Sequence, residues 1–209
     1  MISPARVRSP IKYAGNKYFL ASALDRLICK EIPRDSRVLE PFAGSLGFSL
    51  YFGFDFVTAN DASFPMYNFQ RHIIDGEMPR PESEPISRDY YYRMVKRYNE
   101  IATAMPSTLS KATLSELSSL TFLINYASFN GLVRVNKKGI FNVPFGKPKA
   151  SIPRAKLEAC TVAHKVMKNW QMHHGCFSDL NFKGYDFLYI DPPYSQTFTA
   201  LEPFPMICN

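Results

Sequence analysis

The stretch Asp191-Pro192-Pro193-Tyr194 places reactive groups directly after an apolar run. Residues 187–190 read Phe-Leu-Tyr-Ile, which is typical of a buried strand, and the acid and two prolines follow at once. Proline cannot donate a hydrogen bond to a sheet, so the strand should end at Asp191. The rigid rings leave a carboxylate, the Pro192 carbonyl oxygen and the face of Tyr194 within one turn. These groups suit a planar ring that carries an amino group; the alternative is a rigid turn that merely follows a strand.

Two further predicted strands also end in residues that suit a small ligand. "RVLEPFAG" predicts a strand that ends near Glu40 and a turn at Gly44, and "FDFVTAND" predicts a strand that closes on Asp61. Ligands of open parallel sheets bind beyond the carboxyl ends of the strands. Gly44 allows close backbone approach, and Asp61 could accept hydrogen bonds from ribose hydroxyls. Either acid could instead cap a helix, and Gly44-x-x-Gly47 lacks the full glycine pattern of a nicotinamide site.

The elements that must position these residues alternate along the chain. Helical spacing appears in "NKYFLASALDRLICKEIP", "SRDYYYRMVKRYNEIATAM", "LSELSSLTFLINYASF" and "PRAKLEACTVAHKVMKNW", and two further strands are predicted in "HHGCFSD" and "YDFLYID". Such alternation predicts an α/β fold with a mostly parallel sheet covered on both faces. The proline- and acid-rich segment 75–87 is typical of a linker. We therefore predict one domain from residues 1–74 and 151–209, and an inserted helical subdomain from residues 75–150.

The composition narrows the classes of protein. Hydrophobic residues make up 46% of the 209-residue chain, enough for a core, and the net charge of +7 favours a polyanionic partner. The four cysteines form no CxxC pair, so neither a zinc site nor a disulfide framework is predicted, and a cytoplasmic location is expected. No signal peptide or membrane-spanning run is found, so no membrane partner is expected. His173 and His174, adjacent in a predicted strand, should face opposite ways, and no metal site is predicted.

Four motifs together resemble the Dam family of DNA adenine-N6 methyltransferases. They are "PIKYAGNK", "EPFAG", the segment "FNGLVRVNKKGIFNVPFGK" and "DPPY", and the resemblance spans residues 9 to about 198. It implies a Rossmann-like, mostly parallel sheet with an inserted helical DNA-recognition subdomain. It also implies S-adenosylmethionine as cofactor and double-stranded DNA as partner. Members of that family continue well past the DPPY motif, so a sheet that is incomplete at the C-terminus is expected here.

The resemblance also implies roles for individual residues. Those expected at the cofactor are Tyr13, Gly15, Lys17, Phe42, Ala43, Gly44, Asp61 and Asp191. The catalytic loop is expected to be Asp191, Pro192, Pro193 and Tyr194. Those expected at the DNA are Lys12, Phe129, Asn130, Leu132, Arg134 and Lys147.

Two of these DNA roles have a direct physical rationale. Arg134 can contact guanine through two hydrogen bonds in the major groove. Lys147 and its basic neighbours Lys137, Lys138 and Lys149 can neutralise phosphates, or can form no more than a solvated loop. Because these residues match family members that act on GATC, that sequence is the first target to expect.

The reaction expected from this set is methyl transfer to N6 of an adenine in duplex DNA. The carboxylate of Asp191 and the carbonyl of Pro192 would accept the two amino hydrogens, and Tyr194 would stack on the ring. A base inside a stacked duplex cannot be reached, so it must flip out. The alternative is a truncated relative that binds DNA or cofactor without catalysis, as a decoy or accessory protein. Methylation of RNA is a more distant possibility, which the DNA-type insert argues against. The oligomeric state is left open.

Overall fold

The computed structural model describes residues 5–81 and 84–193, with the backbone alone at Cys29. In this part of the chain, helices and strands alternate at first, four α-helices then follow in succession, and two strands come last. The helices are α1 (Tyr18–Glu31), α2 (Gly47–Phe52), α3 (Phe64–Ile74), α4 (Arg88–Ala102), α5 (Lys111–Ala127) and α6 (Arg154–Met167). The strands are β1 (Arg37–Glu40), β2 (Phe56–Asp61), β3 (Gln171–His174) and β4 (Phe187–Leu188).

The described strands form one parallel sheet in the order β3-β2-β1-β4. In the register, Leu39 lies opposite Thr58 on one side and Leu188 on the other. Val38 and Leu39 of the central strand β1 are completely buried, as expected when helices cover both faces of a parallel sheet. The predicted α/β fold with a largely parallel sheet is therefore confirmed, and the carboxyl ends of β1, β2 and β4 lie at the same edge.

Three details of the elements differ from the sequence prediction. Strand β3 ends at His174, where a strand over 173–179 was predicted, and a short 3-10 turn follows at Phe177–Asp179. His173 and His174 therefore close a strand rather than begin one. Strand β4 is paired only at Phe187–Leu188. Helix α3 was not predicted, although Met66, Phe69 and Ile73 are buried at helical spacing.

Helices α4 and α5 form the core of the predicted insert. Ser87 and Ser110 cap them, each accepting a hydrogen bond from the backbone N–H three residues on, at 3.1 Å. One side of α4 is buried at Tyr91, Val95, Tyr98 and Ile101, where it joins a hydrophobic cluster distinct from the cluster around the sheet. The domain boundaries themselves stay a prediction.

Helix α5 contributes to both hydrophobic clusters. Leu117 and Leu123 belong to the cluster of the insert, whereas Phe122 belongs to the cluster around the sheet. The Phe122 ring stacks on Phe69 of α3 with 6.2 Å between the ring centroids. Asn68 of α3 strengthens this contact, because its amide donates to the Leu114 carbonyl at 2.8 Å.

Candidate functional site

Asp61 connects the end of β2 to the loop that follows β1. Its carboxylate accepts hydrogen bonds from the backbone N–H of Gly44 and of Ser63, both at 2.8 Å. Burial raises the pKa of Asp61 to about 6, and the two backbone hydrogen bonds oppose that rise. The group is therefore mostly ionised at neutral pH. The bond to Ser63 shapes the turn into α3, so Asp61 orders a helix start and also presents a carboxylate at the sheet edge.

Glu40 lies in the core at the end of β1, with 2% of its surface exposed. It accepts a hydrogen bond from the hydroxyl of Ser49, which lies inside α2. The helix-cap alternative is therefore wrong for Glu40, because its partner is a side chain and not a helix N-terminus. Burial raises the pKa of Glu40 to about 8; the Ser49 hydroxyl opposes the rise, and the charges of Asp191 and Asp61 add to it. Glu40 is mostly protonated at neutral pH, in contrast to Asp61.

The ring of Tyr13 packs against Gly44. Gly44 has φ +49°, and a Cβ built on it would lie 3.0 Å from Tyr13 Cε1. Both the backbone conformation and the space therefore call for glycine. Burial, and then the charge of Asp61, raises the pKa of Tyr13 above its ordinary value. The N-terminal motif thus borders the loop that was predicted to hold the cofactor.

Lys17 brings the same motif to the catalytic loop. Its Nζ lies 2.7 Å from Asp191 Oδ2, with each side chain about 20% exposed, and it also donates to the Gly15 carbonyl at 2.9 Å. Gly15 has φ +79°, so the turn that aims Lys17 uses a conformation that favours glycine. Pro192 and Pro193 are exposed beyond the strand. Tyr194 lies outside the described residues.

Other residues hold the loop after β1 in place. Ala43 N donates to the Asn60 carbonyl at 2.8 Å. The Asn60 amide donates to the carbonyls of Pro41 and Gly175, at 3.1 Å each, and so joins the ends of β1 and β3. Phe42 packs against Phe177 with ring centroids 5.0 Å apart.

Sequence reasoning missed three of these contributors, namely Ser49, Asn60 and Phe177. The position of Asn60 beside Asp61 at a strand end was an available signal. Ser49 gives no such signal, because a serine in a short helix does not reveal its partner.

The residues predicted at the DNA begin with Lys12 and the turn Phe129–Gly131. Phe129 is 51% exposed, and Asn130 adopts the left-handed φ of 55°. A Cβ on Gly131 would lie 2.6 Å from the Lys12 side chain. The structure therefore brings Lys12 and this turn together, although more than a hundred residues separate them.

The remaining predicted DNA residues follow in an extended loop. Leu132 and Arg134 are partly buried, and Arg134 Nε donates to Asn142 Oδ1 at 3.1 Å across a hairpin. Lys147 is exposed and has φ +54°. The hairpin tip at Lys137 and Lys138 is exposed as well. The DNA roles of these residues stay predictions.

Residues 5–81 and 84–193 show neither a metal-binding cluster nor a membrane-spanning helix. No three histidine, cysteine or acidic side chains there gather closely enough to bind a metal ion. In the same part of the chain, no helix combines the length and apolar character needed to cross a membrane.

Comparison with known proteins adds a family to this geometry. Residues 13–203 match the model of a family described as D12 class N6 adenine-specific DNA methyltransferase. The chain is 29% identical to the DNA adenine methylase of Vibrio cholerae, over 92% of this chain and 67% of that protein. It is 29% identical to the DNA adenine methylase of Haemophilus influenzae, over 88% and 63%. It is 27% identical to the type II methyltransferase M.MjaIII of Methanocaldococcus jannaschii, over 95% and 74%. The chain thus spans about two thirds to three quarters of these relatives.

Proposed function

This chain belongs to the D12 class of N6 adenine-specific DNA methyltransferases, and we propose that it moves the methyl group of S-adenosylmethionine to an adenine flipped out of duplex DNA. The 2.7 Å ion pair between Lys17 and Asp191 carries this proposal. It puts the carboxylate of the DPPY motif beside the N-terminal motif, whose Tyr13 lies on Gly44. Residues predicted for catalysis and for cofactor binding therefore share one edge of the sheet.

The residues at that edge fit S-adenosylmethionine, which supplies an activated sulfonium methyl group. Gly44 lets the Tyr13 ring lie directly against the loop after β1, since a Cβ there would meet that ring. Each oxygen of Asp61 accepts a backbone N–H, and a carboxylate can accept further hydrogen bonds, as from ribose hydroxyls. Phe42 to Gly44 would lie beneath the methionine part, and Lys17 would border it.

Asp191 and Pro192 would hold the adenine amino group. The lone pair of that nitrogen is delocalised into the ring, so it is a weak nucleophile. Two acceptors around the amino hydrogens favour a more tetrahedral nitrogen whose lone pair is available. The proton becomes acidic only as the new N–C bond forms, and Asp191 would accept it then. Catalysis by this chain would rest mainly on positioning and electrostatics, with Lys17 holding the carboxylate in place.

The segment from Phe129 to Lys147 would engage the duplex. The half-exposed ring of Phe129 suits insertion beside the flipped base. Asn142 accepts a hydrogen bond from Nε–H of Arg134 and so orients the guanidinium. The two terminal nitrogens of Arg134 can then donate to O6 and N7 of a guanine. Lys147 would neutralise a phosphate. By likeness to the Dam family, GATC is the target we propose.

Transfer of labelled methyl groups to unmethylated duplexes, with and without GATC, tests the proposal. We expect transfer by the wild-type protein and none by Asp191→Asn. Asp186→Asn is a matched control on the same segment, because Asp186 accepts the Arg37 N–H at 2.7 Å away from the proposed site. That variant should remain active. A wild-type protein that binds DNA but transfers no methyl group at any enzyme concentration would refute the proposal and favour a non-catalytic binding protein.

A further inference from the structure

Asn125 joins the N-terminal motif, at Lys12, to the turn Phe129–Gly131. It lies on α5 near the end of the helix and is only 3% exposed. Its side chain makes three hydrogen bonds, and all of them go to backbone groups outside the helix. No sequence pattern predicts a role for this residue.

The first two bonds hold the N-terminal motif. Lys12 N donates to Asn125 Oδ1 at 3.0 Å, and Asn125 Nδ2 donates to the Lys12 carbonyl at 2.8 Å. The amide thus pairs with both backbone groups of one residue, as a neighbouring strand would. The next residue, Tyr13, lies against Gly44, so the pairing also fixes the start of the predicted cofactor motif.

The third bond holds the turn that enters the recognition segment. Asn125 Nδ2 donates to the Gly131 carbonyl at 3.0 Å. This turn has left-handed φ values, 55° at Asn130 and 67° at Gly131. The Lys12 side chain occupies the space that a Cβ of Gly131 would fill. The turn and the N-terminal motif are therefore held by one amide and are also in direct contact.

We infer that Asn125 is a positioning residue that couples DNA binding to cofactor binding. The inference rests on the proposed function and on the roles that the family resemblance implies, with DNA at Lys12 and the Phe129–Arg134 segment and the cofactor at Tyr13, Gly15 and Lys17. A buried amide cannot leave its partners without a penalty, so a shift of the turn on the duplex carries the Lys12 backbone with it. Binding at either site then biases the geometry of the other, and such coupling is reciprocal.

Asn125→Asp is the sharpest variant. It keeps the shape and the acceptor for Lys12 N, but it sets a carboxylate oxygen against the carbonyls of Lys12 and Gly131. Asn68→Asp is the matched control, because Asn68 is also 3% exposed and donates to a carbonyl, that of Leu114. No hydrogen bond described for Asn68 reaches the N-terminal motif or the turn.

The measurement is the dissociation constant of an unmethylated duplex with and without sinefungin, an unreactive analogue of S-adenosylmethionine. The duplex is the one that the wild-type protein binds most tightly. We expect sinefungin to tighten wild-type binding by roughly 5- to 150-fold, the usual range of coupling between sites. The ratio of the dissociation constants without and with sinefungin should fall towards one in Asn125→Asp. It should keep the wild-type value in Asn68→Asp, even when both variants have lower melting temperatures. A purely structural role would leave the ratio unchanged.

If Asn125→Asp does not fold, Asn125→Ser removes the amide without burying a charge, and the same fall is expected. A wild-type ratio of one, or a wild-type ratio retained by the folded Asn125 variant, would overturn the inference. The ratio requires binding but no methyl transfer. An inactive wild-type protein whose coupling is lost in Asn125→Asp would therefore refute the proposed function and leave the role of Asn125 supported.

Discussion

Replacing Glu40 with glutamine should change how stability depends on pH. Burial raises the pKa of Glu40 from 4.5 to about 8, so the folded protein holds this proton more tightly than the unfolded chain does. The stability that comes from the bound proton is complete below the unfolded pKa. It is lost as the pH rises through the folded pKa.

The size of the effect follows from the shift. One pKa unit corresponds to about 1.4 kcal/mol, so the rise from 4.5 to about 8 corresponds to about 5 kcal/mol. About 4 kcal/mol of this falls between about pH 5 and about pH 9. Glutamine can accept the same hydrogen bond from Ser49 but does not titrate. As the pH rises across that interval, the free energy of unfolding of Glu40→Gln should therefore increase by about 4 kcal/mol relative to that of the wild type.

Urea denaturation at several pH values measures this difference. Taking the difference between two nearly identical proteins cancels the titration of the groups that do not interact with Glu40. Ser49→Ala provides a control on the cause: the Ser49 hydroxyl lowers the pKa of Glu40, so its removal should move the upper end of the titration to higher pH. Parallel stability curves for wild type and Glu40→Gln would show that Glu40 is ionised in the folded protein and would refute the reasoning.

Three further substitutions test the site. Gly44→Ala should lower the free energy of unfolding by about 1–3 kcal/mol, because Gly44 has φ +49° and a Cβ there would lie 3.0 Å from the Tyr13 ring. It should also weaken binding of S-adenosylmethionine. Thermal melting measures the first effect and calorimetry the second, and an unchanged cofactor affinity would contradict the assignment of this loop. Lys17→Met should lower the single-turnover rate of methyl transfer roughly tenfold or more, because Asp191 loses its ion pair with Lys17. The affinity for DNA should be unchanged. Equal rates for the variant and the wild type would show that Lys17 has no role in catalysis. Arg134→Lys should reduce the difference in binding free energy between target and non-target DNA by about 1–3 kcal/mol, with little change in the affinity for non-target DNA. Competition assays measure this difference, and an unchanged value would exclude guanine recognition by Arg134.

The sequence predicted the strands and the acids at their ends because that signal is local. An apolar run that stops at Glu40 or Asp61 shows the strand and its terminal group together. The length of a strand depends on its neighbours instead: β4 is paired at only two residues, yet Tyr189 N still donates to the Leu39 carbonyl at 2.9 Å. Helix α3 was missed because Pro65 interrupts the reading, although proline suits a first turn.

The contacts of the site were less accessible from the sequence. Family resemblance grouped Lys17 with Asp191, whereas residue types alone do not connect positions so far apart. Asn125 and Ser49 were invisible for a physical reason. Asn125 bonds to peptide groups, which every residue carries, and Ser49 bonds to a glutamate whose own environment is set by the fold.

Helix α5 contributes side chains to both hydrophobic clusters. This limits where the predicted DNA-binding segment can be replaced by that of a relative. Phe122 faces Phe69 beside the sheet, while Leu117 and Leu123 face the insert. A chimera with both junctions at the edges of the predicted insert would also replace Phe122, which belongs to the cluster around the sheet. Grafting only residues 128–150 leaves α5 and its Phe122–Phe69 contact in place. Specificity should therefore be transferred with least disturbance when the graft fills the positions of Phe141 and Val143 in the insert cluster with similar side chains.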